Sequence, residues 1–189
     1  MWHWKLFIAL AAVVVIATAV SAQQDAWNQL NQEAVKLCRD GKYTEAIRIV
    51  EKSLEIAENT FGPDHSNVAL SLNYLAELYR SQGKHTQAEP RYKRSLAITE
   101  KTLGPDHTDV AAALNNLAEF YRDQGQYSEA EPLYKRALPI YVKALGADHP
   151  AVTDCLSNLT QMYKQMGKKK ETSECEECPQ RIEPQKPNR

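Results

Sequence analysis

Four glycines, Gly41, Gly83, Gly125 and Gly167, stand at intervals of 42, 42 and 42 residues in a chain of 189. A fixed interval of that length restricts the chain to architectures in which one supersecondary unit is stacked on copies of itself. A second series keeps the same spacing: Gly62-Pro63-Asp64-His65, Gly104-Pro105-Asp106-His107 and Gly146-Ala147-Asp148-His149. Aligning residues 62–103 with 104–145 gives 25 identities in 42 positions, more than shared helix composition produces.

Within each unit the apolar residues recur by threes and fours, as in Leu72, Leu75, Ala76 and Tyr79 or Leu114, Leu117, Ala118 and Tyr121. That is one face of an α-helix, the A helix of the unit. After the glycine a second stripe follows, Ala88, Tyr92, Leu96 and then Ala130, Tyr134, Leu138, so a B helix packs back through a tight turn. The spacing predicts helices at about 25–40, 43–59, 66–82, 85–101, 108–124, 127–143 and 150–166, three and a half antiparallel hairpins. Asp64, Asp106 and Asp148 are expected to cap the A helices, with Pro150 tolerated in a first turn. Pro139, deeper in its helix, is expected to bend it. One hairpin cannot bury its own stripe, so neighbours stack into an all-α, curved solenoid whose concave face is built from A helices.

The pattern Leu114-Asn115-Asn116-Leu117-Ala118 … Tyr121 … Gly125-Gln126-Tyr127 … Glu129-Ala130-Glu131 … Tyr134 … Arg136-Ala137-Leu138 resembles tetratricopeptide repeats of the kinesin-light-chain kind. The 42-residue spacing and the Gly-Pro-Asp-His loop fit that subtype rather than the shorter repeat. The resemblance covers residues 26–167 and weakens at the ends, where Glu33 and Leu37 replace the expected Leu and Tyr and Thr160 and Thr172 replace small Ala. It implies a right-handed α-solenoid of about three and a half such units and a non-catalytic scaffold that binds a protein or peptide partner in its groove.

Beside the packing stripe of each A helix runs a second stripe that should look into that groove. It reads Asn31, Val35, Cys38; then Leu70, Asn73, Glu77, Arg80; then Ala112, Asn115, Glu119, Arg122; then Asp154, Ser157, Gln161, Lys164. An Asn amide both donates to and accepts from an extended backbone, and guanidinium groups hold carboxylates by paired hydrogen bonds. Asn31, Asn73, Arg80, Asn115, Arg122 and Lys164 are therefore the candidate peptide-binding residues, and an acidic peptide is the partner they fit. The competing reading is a self-neutralised face, because Glu77 and Glu119 each lie three residues before an Arg.

Other chemistries find little support. Lys and Arg number 23 and Asp and Glu 24, so no basic field exists for nucleic acid. No nucleophile–base pair, phosphate-binding glycine loop or complete metal cluster is visible, and no cofactor is expected. His65, His107 and His149 sit whole repeats apart on successive loops, which favours a structural role over a metal site. Cys38 and Cys155, in the first and last A helices, are expected to stay free thiols. Cys175-Glu176-Glu177-Cys178 has the spacing of redox and half-zinc motifs, which supplies the rival reading of a thiol-dependent redox or metal-handling protein. It lacks a second ligand pair, and its glutamates would raise a thiol pKa.

The ends differ from the body. Residues 1–22 carry one formal charge, Lys5, an apolar run from Leu6 to Val20 and the small residues Val20-Ser21-Ala22, the layout of a secretory signal peptide. Cleavage after Ala22 would give an exported protein, periplasmic or secreted; retention would tether the same body to a membrane. Residues 23–167 form the solenoid. Residues 168–189 are expected to give a polar capping helix and, from Gln180 on, a disordered tail rich in Pro. The departures at Thr160 and Thr172 leave a terminal surface open to homodimerisation.

Overall fold

A computed structural model describes residues 2–181, with side chains for residues 18–176. The order is α1 (Trp2–Arg39), α2 (Tyr43–Phe61), α3 (Ser66–Ser81), α4 (His85–Leu103), α5 (Thr108–Asp123), α6 (Tyr127–Leu145), α7 (Pro150–Gln165) and α8 (Lys169–Arg181). No strand occurs among the described residues. Residues 1–91 and 92–189 form two compact units, with the break inside α4.

In the first unit α2 buries Ala46, Ile47, Val50 and Ala57, and α3 buries Val68, Leu72, Leu75, Ala76 and Tyr79. Both sets follow the three-and-four spacing that lays them along one face. Trp27 and Ala34 bring the second half of α1 into the same core. In the second unit α5 repeats the pattern with Val110, Leu114, Leu117, Ala118 and Tyr121, α6 adds Ala130, Tyr134 and Ala137, and α7 adds Val152, Cys155, Leu156 and Leu159. Ala46 and Ala130, each fully buried in the first turn of its B helix, leave no room for a larger side chain.

One turn recurs at the four periodic glycines. Gly125 holds φ at +72°, and the amide of Gln126 reaches back to the carbonyl of Tyr121 at 2.9 Å. Lys42, Lys84 and Lys168 repeat that bond to Leu37, Tyr79 and Tyr163. It closes the A helix by the left-handed C-terminal motif that glycine adopts without a Cβ penalty. The B helices end at the second glycine series and reach Phe61, Leu103 and Leu145, about two residues further than the periodicity predicts.

The capping expectation is corrected. Asp64, Asp106 and Asp148 do not cap the A helices; the next residue does. Nδ1 of His65, His107 and His149 accepts the backbone N–H of Asn67, Asp109 and Ala151 at 3.1, 3.2 and 3.1 Å. The turn that follows each glycine, with His65 N–H on the Gly62 carbonyl at 3.3 Å, spends Pro63 and Asp64 inside the loop and leaves histidine at the half-helical position. The repeated histidines are thus structural, as the loop spacing suggested. Pro150 occupies the first turn of α7, and α6 continues as one helix through Pro132 and Pro139.

At the ends, α1 begins at Trp2 and so includes most of the segment read as a signal peptide, but Met1 and the side chains of residues 2–17 lie outside the described set. Among the described residues no helix is long and apolar enough to cross a membrane. Gln180 and Arg181 belong to α8, while residues 182–189, the rest of the predicted tail, lie outside the described residues.

Candidate functional site

The A-helix faces of the two units differ, and the repeat register explains why. Val35 and Cys38 on α1 hold the positions that Glu77 and Arg80 hold on α3 and Glu119 and Arg122 on α5. Tyr74 on α3 holds the position of Asn116 and Asn158. The first unit therefore presents an apolar face. Between α1, α2 and α3 lies a cavity of about 250 Å³, walled by Val35, Cys38, Tyr43, Tyr74 and Leu78, with Asn31 and Glu77 supplying polarity. Val35, Tyr43 and Tyr74 are 41%, 42% and 37% exposed, and Leu70 nearby is 41% exposed. Apolar side chains left open together on one face are unusual for a chain with no partner.

Asn31 connects this cavity to the core. Trp27 Nε1 donates to Ser71 Oγ at 3.0 Å, Ser71 and Ser53 hydroxyls lie 3.5 Å apart, and Ser53 Oγ donates to Asn31 Oδ1 at 2.9 Å. The oxygen of the Asn31 amide is thereby fixed, which also fixes its nitrogen, and Nδ2 is a buried donor with no hydrogen-bond partner. A buried donor of that kind costs free energy unless a ligand carbonyl or water completes it. Asn73 is half-buried on α3 and has interactions of its own. Arg80 pairs with Glu77 on its own helix at 3.1 Å.

The second unit is closed by a polar network. Glu119 Oε1 accepts from Asn115 Nδ2 and from Asn158 Nδ2, both at 2.8 Å. Arg122 Nη1 donates to Asn158 Oδ1 at 2.6 Å and Nη2 to Asp123 Oδ1 at 2.9 Å. The A helices α5 and α7 are thus tied across the face, and Asn115 Oδ1 stays buried without a partner. Lys164 pairs with Glu176 of α8 at 2.7 Å. Of the six candidate residues, Asn31 alone lines the apolar cavity, Asn115 and Arg122 meet through Glu119 and Asn158, and Arg80 and Lys164 are drawn into ion pairs.

Asn158 and Tyr74 were missed by the sequence reading, which assigned the face of α7 to Ser157. The signal was present, because Tyr74, Asn116 and Asn158 share one repeat position. With both amide atoms engaged between helices, Asn158 is also a poor glycosylation acceptor despite the Asn158-Leu159-Thr160 sequence.

A second cluster secures the end of this unit. Glu131 accepts from Lys135 at 2.5 Å, Tyr163 at 3.0 Å and Lys168 at 2.8 Å, and Lys168 also lies over the Tyr163 ring. Lys135 first and Lys168 second hold the Glu131 carboxyl down at about 2. Lys168 opens the turn into α8, so Glu131 fastens the polar terminal helix to α6 and α7.

Cys38, Cys155 and Cys175 form no disulfide among the described residues. Burial raises the Cys38 thiol, and burial followed by the Glu119 carboxylate pushes Cys155 up to about 12, so neither is activated toward the thiolate. Cys175 is half-buried on α8; the side chain of Cys178 lies outside the described residues. No group of His, Cys, Asp or Glu among the described residues could hold a metal ion.

The tetratricopeptide repeat family profile matches residues 29–101, 68–141 and 109–177. The chain belongs to the tetratricopeptide repeat family. Its architecture is accordingly the α-solenoid of antiparallel helical hairpins that the period predicted, and repeats of this kind serve as protein-interaction scaffolds. A putative kinesin light chain of Podosopora anserina with nearly identical TPR-like repeats is similar in structure, with a TM-score of 0.74 at 26% identity over 80% of this chain and 72% of that one. BtubC (BKLC) from P. vanneervenii is similar with a TM-score of 0.75 at 23% identity, covering 86% and 67%. Pseudomonas aeruginosa pilF has a TM-score of 0.63 at 21% identity, covering 85% and 63%. The last two likenesses speak to the fold alone. A comparison with curated protein sequences gives no match.

Proposed function

We propose that this tetratricopeptide repeat protein is a non-catalytic, exported scaffold that holds an extended segment of a partner protein against its A helices, with a large apolar side chain of that segment seated in the first-unit cavity. The observation that carries this reading is the cavity itself, an apolar recess of about 250 Å³ beside the unpartnered Asn31 Nδ2. That donor is placed to take a carbonyl of the bound backbone while Val35 and Tyr74 close on the side chain. The preference for an acidic partner becomes secondary, because Arg80 and Arg122 already meet carboxylates of this chain. Acidic residues of a ligand would have to compete for them.

Export follows from the amino-terminal layout, with cleavage after Ala22; retention of that segment would give the same scaffold on a membrane. The binding reading is tested by selecting a random peptide library on the exported protein. Enrichment of sequences with a large apolar residue, lost on Val35→Asp or Tyr74→Asp with the melting temperature held, supports it. Selected peptides that bind those variants as well as the parent would place the binding face elsewhere.

A further inference from the structure

Residues 18–22 of α1 are all exposed, and the helix is tied to its neighbours immediately after them. Gln23 Oε1 accepts from Thr60 Oγ1 of α2 at 2.9 Å, Gln24 Oε1 accepts from Asn67 Nδ2 of α3 at 3.1 Å, and Trp27 is buried one turn on. Among the described residues, the packing of α1 thus starts where the small residues Val20-Ser21-Ala22 end. Cleavage after Ala22 cuts α1 just past the exposed residues 18–22 and leaves every one of these anchors in place. It also makes Gln23 the amino-terminal residue.

We infer that position 23 of the exported protein is a modification site, at which the new terminal glutamine closes to pyroglutamate. This rests on the cleavage proposed above. The α-amine nitrogen of Gln23 attacks its own Cδ, a five-membered lactam forms through the new N–Cδ bond, the Cδ–Nε2 bond breaks, and an amine proton leaves with Nε2 as ammonia. No oxidant or co-reactant is consumed. The structure suits each part of this step. Gln23 is exposed, and the hydrogen bond its side chain accepts from the Thr60 hydroxyl is exposed as well. The oxygen that stays becomes the lactam carbonyl, and turning Cδ back to the α-nitrogen draws it off the Thr60 hydroxyl, an exposed hydrogen bond whose loss costs little. Closure also removes an ammonium from the end of a helix where the aligned peptide dipoles are already positive, so the product is electrostatically favoured over the open form. The result is an amino terminus that aminopeptidases cannot enter.

The full 189-residue chain is expressed in a host that exports it, and the exported protein is analysed by intact mass and by amino-terminal peptide sequencing. The expected chain starts at residue 23, is lighter than the open form by one ammonia, gives no Edman sequence, and yields Gln24 first after pyroglutamyl aminopeptidase. Gln23→Ala restores a readable terminus and digestion by a general aminopeptidase. A chain that starts at residue 23 but keeps its amine after prolonged incubation at neutral pH overturns the cyclisation alone. A chain that starts at Met1, or anywhere other than residue 23, overturns the cleavage reading and the modification with it.

Discussion

Replacing Trp27 by Phe tests the link between the core of the first unit and its binding face. Trp27 is 7% exposed and its indole N–H is the first donor of the chain that runs through Ser71 and Ser53 to Asn31. Phenylalanine keeps a ring but deletes the donor, which removes a buried neutral hydrogen bond worth about 1 kcal/mol. It also removes three heavy atoms; a residual cavity of roughly 40 Å³ at about 24 cal/mol per Å³ adds about 1 kcal/mol, and lost transfer energy about 1 kcal/mol more. The expected destabilisation is about 3 kcal/mol in urea unfolding followed by circular dichroism, or about 6–12 °C in melting midpoint for a chain of this size. Packing loss alone could mimic that figure, so the hydrogen bond is isolated by a cycle with Ser71→Ala, which orphans the indole N–H. If the chain operates as described, the double variant is less destabilised than the sum of the singles by about 1 kcal/mol. Coupling below about 0.3 kcal/mol would refute the chain, and with it the account of why the Asn31 amide is held in one orientation.

Three further outcomes follow from the second unit. Arg122→Ala strands the Asn158 carbonyl and frees Glu119 from part of its surroundings; because the Asp123 contact is half-exposed, we expect a loss of about 1–2 kcal/mol in chemical unfolding, carried mainly by the Asn158 bond. The Glu131 carboxyl is depressed in the folded state, so its contribution is complete above about 4.5 and is lost as pH falls toward about 2. With Lys135 largely exposed, screening reduces that contribution to about 1–2 kcal/mol, and Glu131→Gln should flatten the acid limb of the stability profile while costing a similar amount at neutral pH. Gly125→Ala meets no atom within 4 Å but must hold φ at +72°, so a cost of about 1–2 kcal/mol without any change in peptide binding is expected from thermal melts.

The helices were legible because their cause is local. Three-and-four spacing, glycines at the turns and the repeat itself place α2 to α7 within about two residues of where they lie. The caps were not, since Asp64 and His65 are adjacent side chains that can each accept an amide, and only the loop geometry after Gly62 decides which stands at the helix entrance. The candidate site was half legible. Periodicity gives the face on which Glu119 and Arg122 stand, but the Asn158 that joins them comes from another helix, 39 and 36 residues away in sequence. A pattern read along one helix carries no information about a side chain arriving from the next.

That same register decides which part of the face is free to bind. Where a repeat places Glu and Arg a turn apart and Asn on the A helix of the next hairpin, the groups satisfy one another, and a ligand must first break bonds that already exist. In the first unit Val35, Cys38 and Tyr74 occupy those positions, and apolar side chains cannot cancel one another in that way; only burial against a partner removes their surface from water. The departures from the repeat at Val35 and Cys38, which by consensus alone would count as decay of a terminal unit, are therefore where binding energy is available. Restoring the repeat there, with Val35→Glu and Cys38→Arg together, should give a folded protein with a self-paired first unit and little affinity for apolar peptides, read by fluorescence anisotropy. Undiminished affinity in that variant would mean that the partner is held by the polar network of the second unit instead.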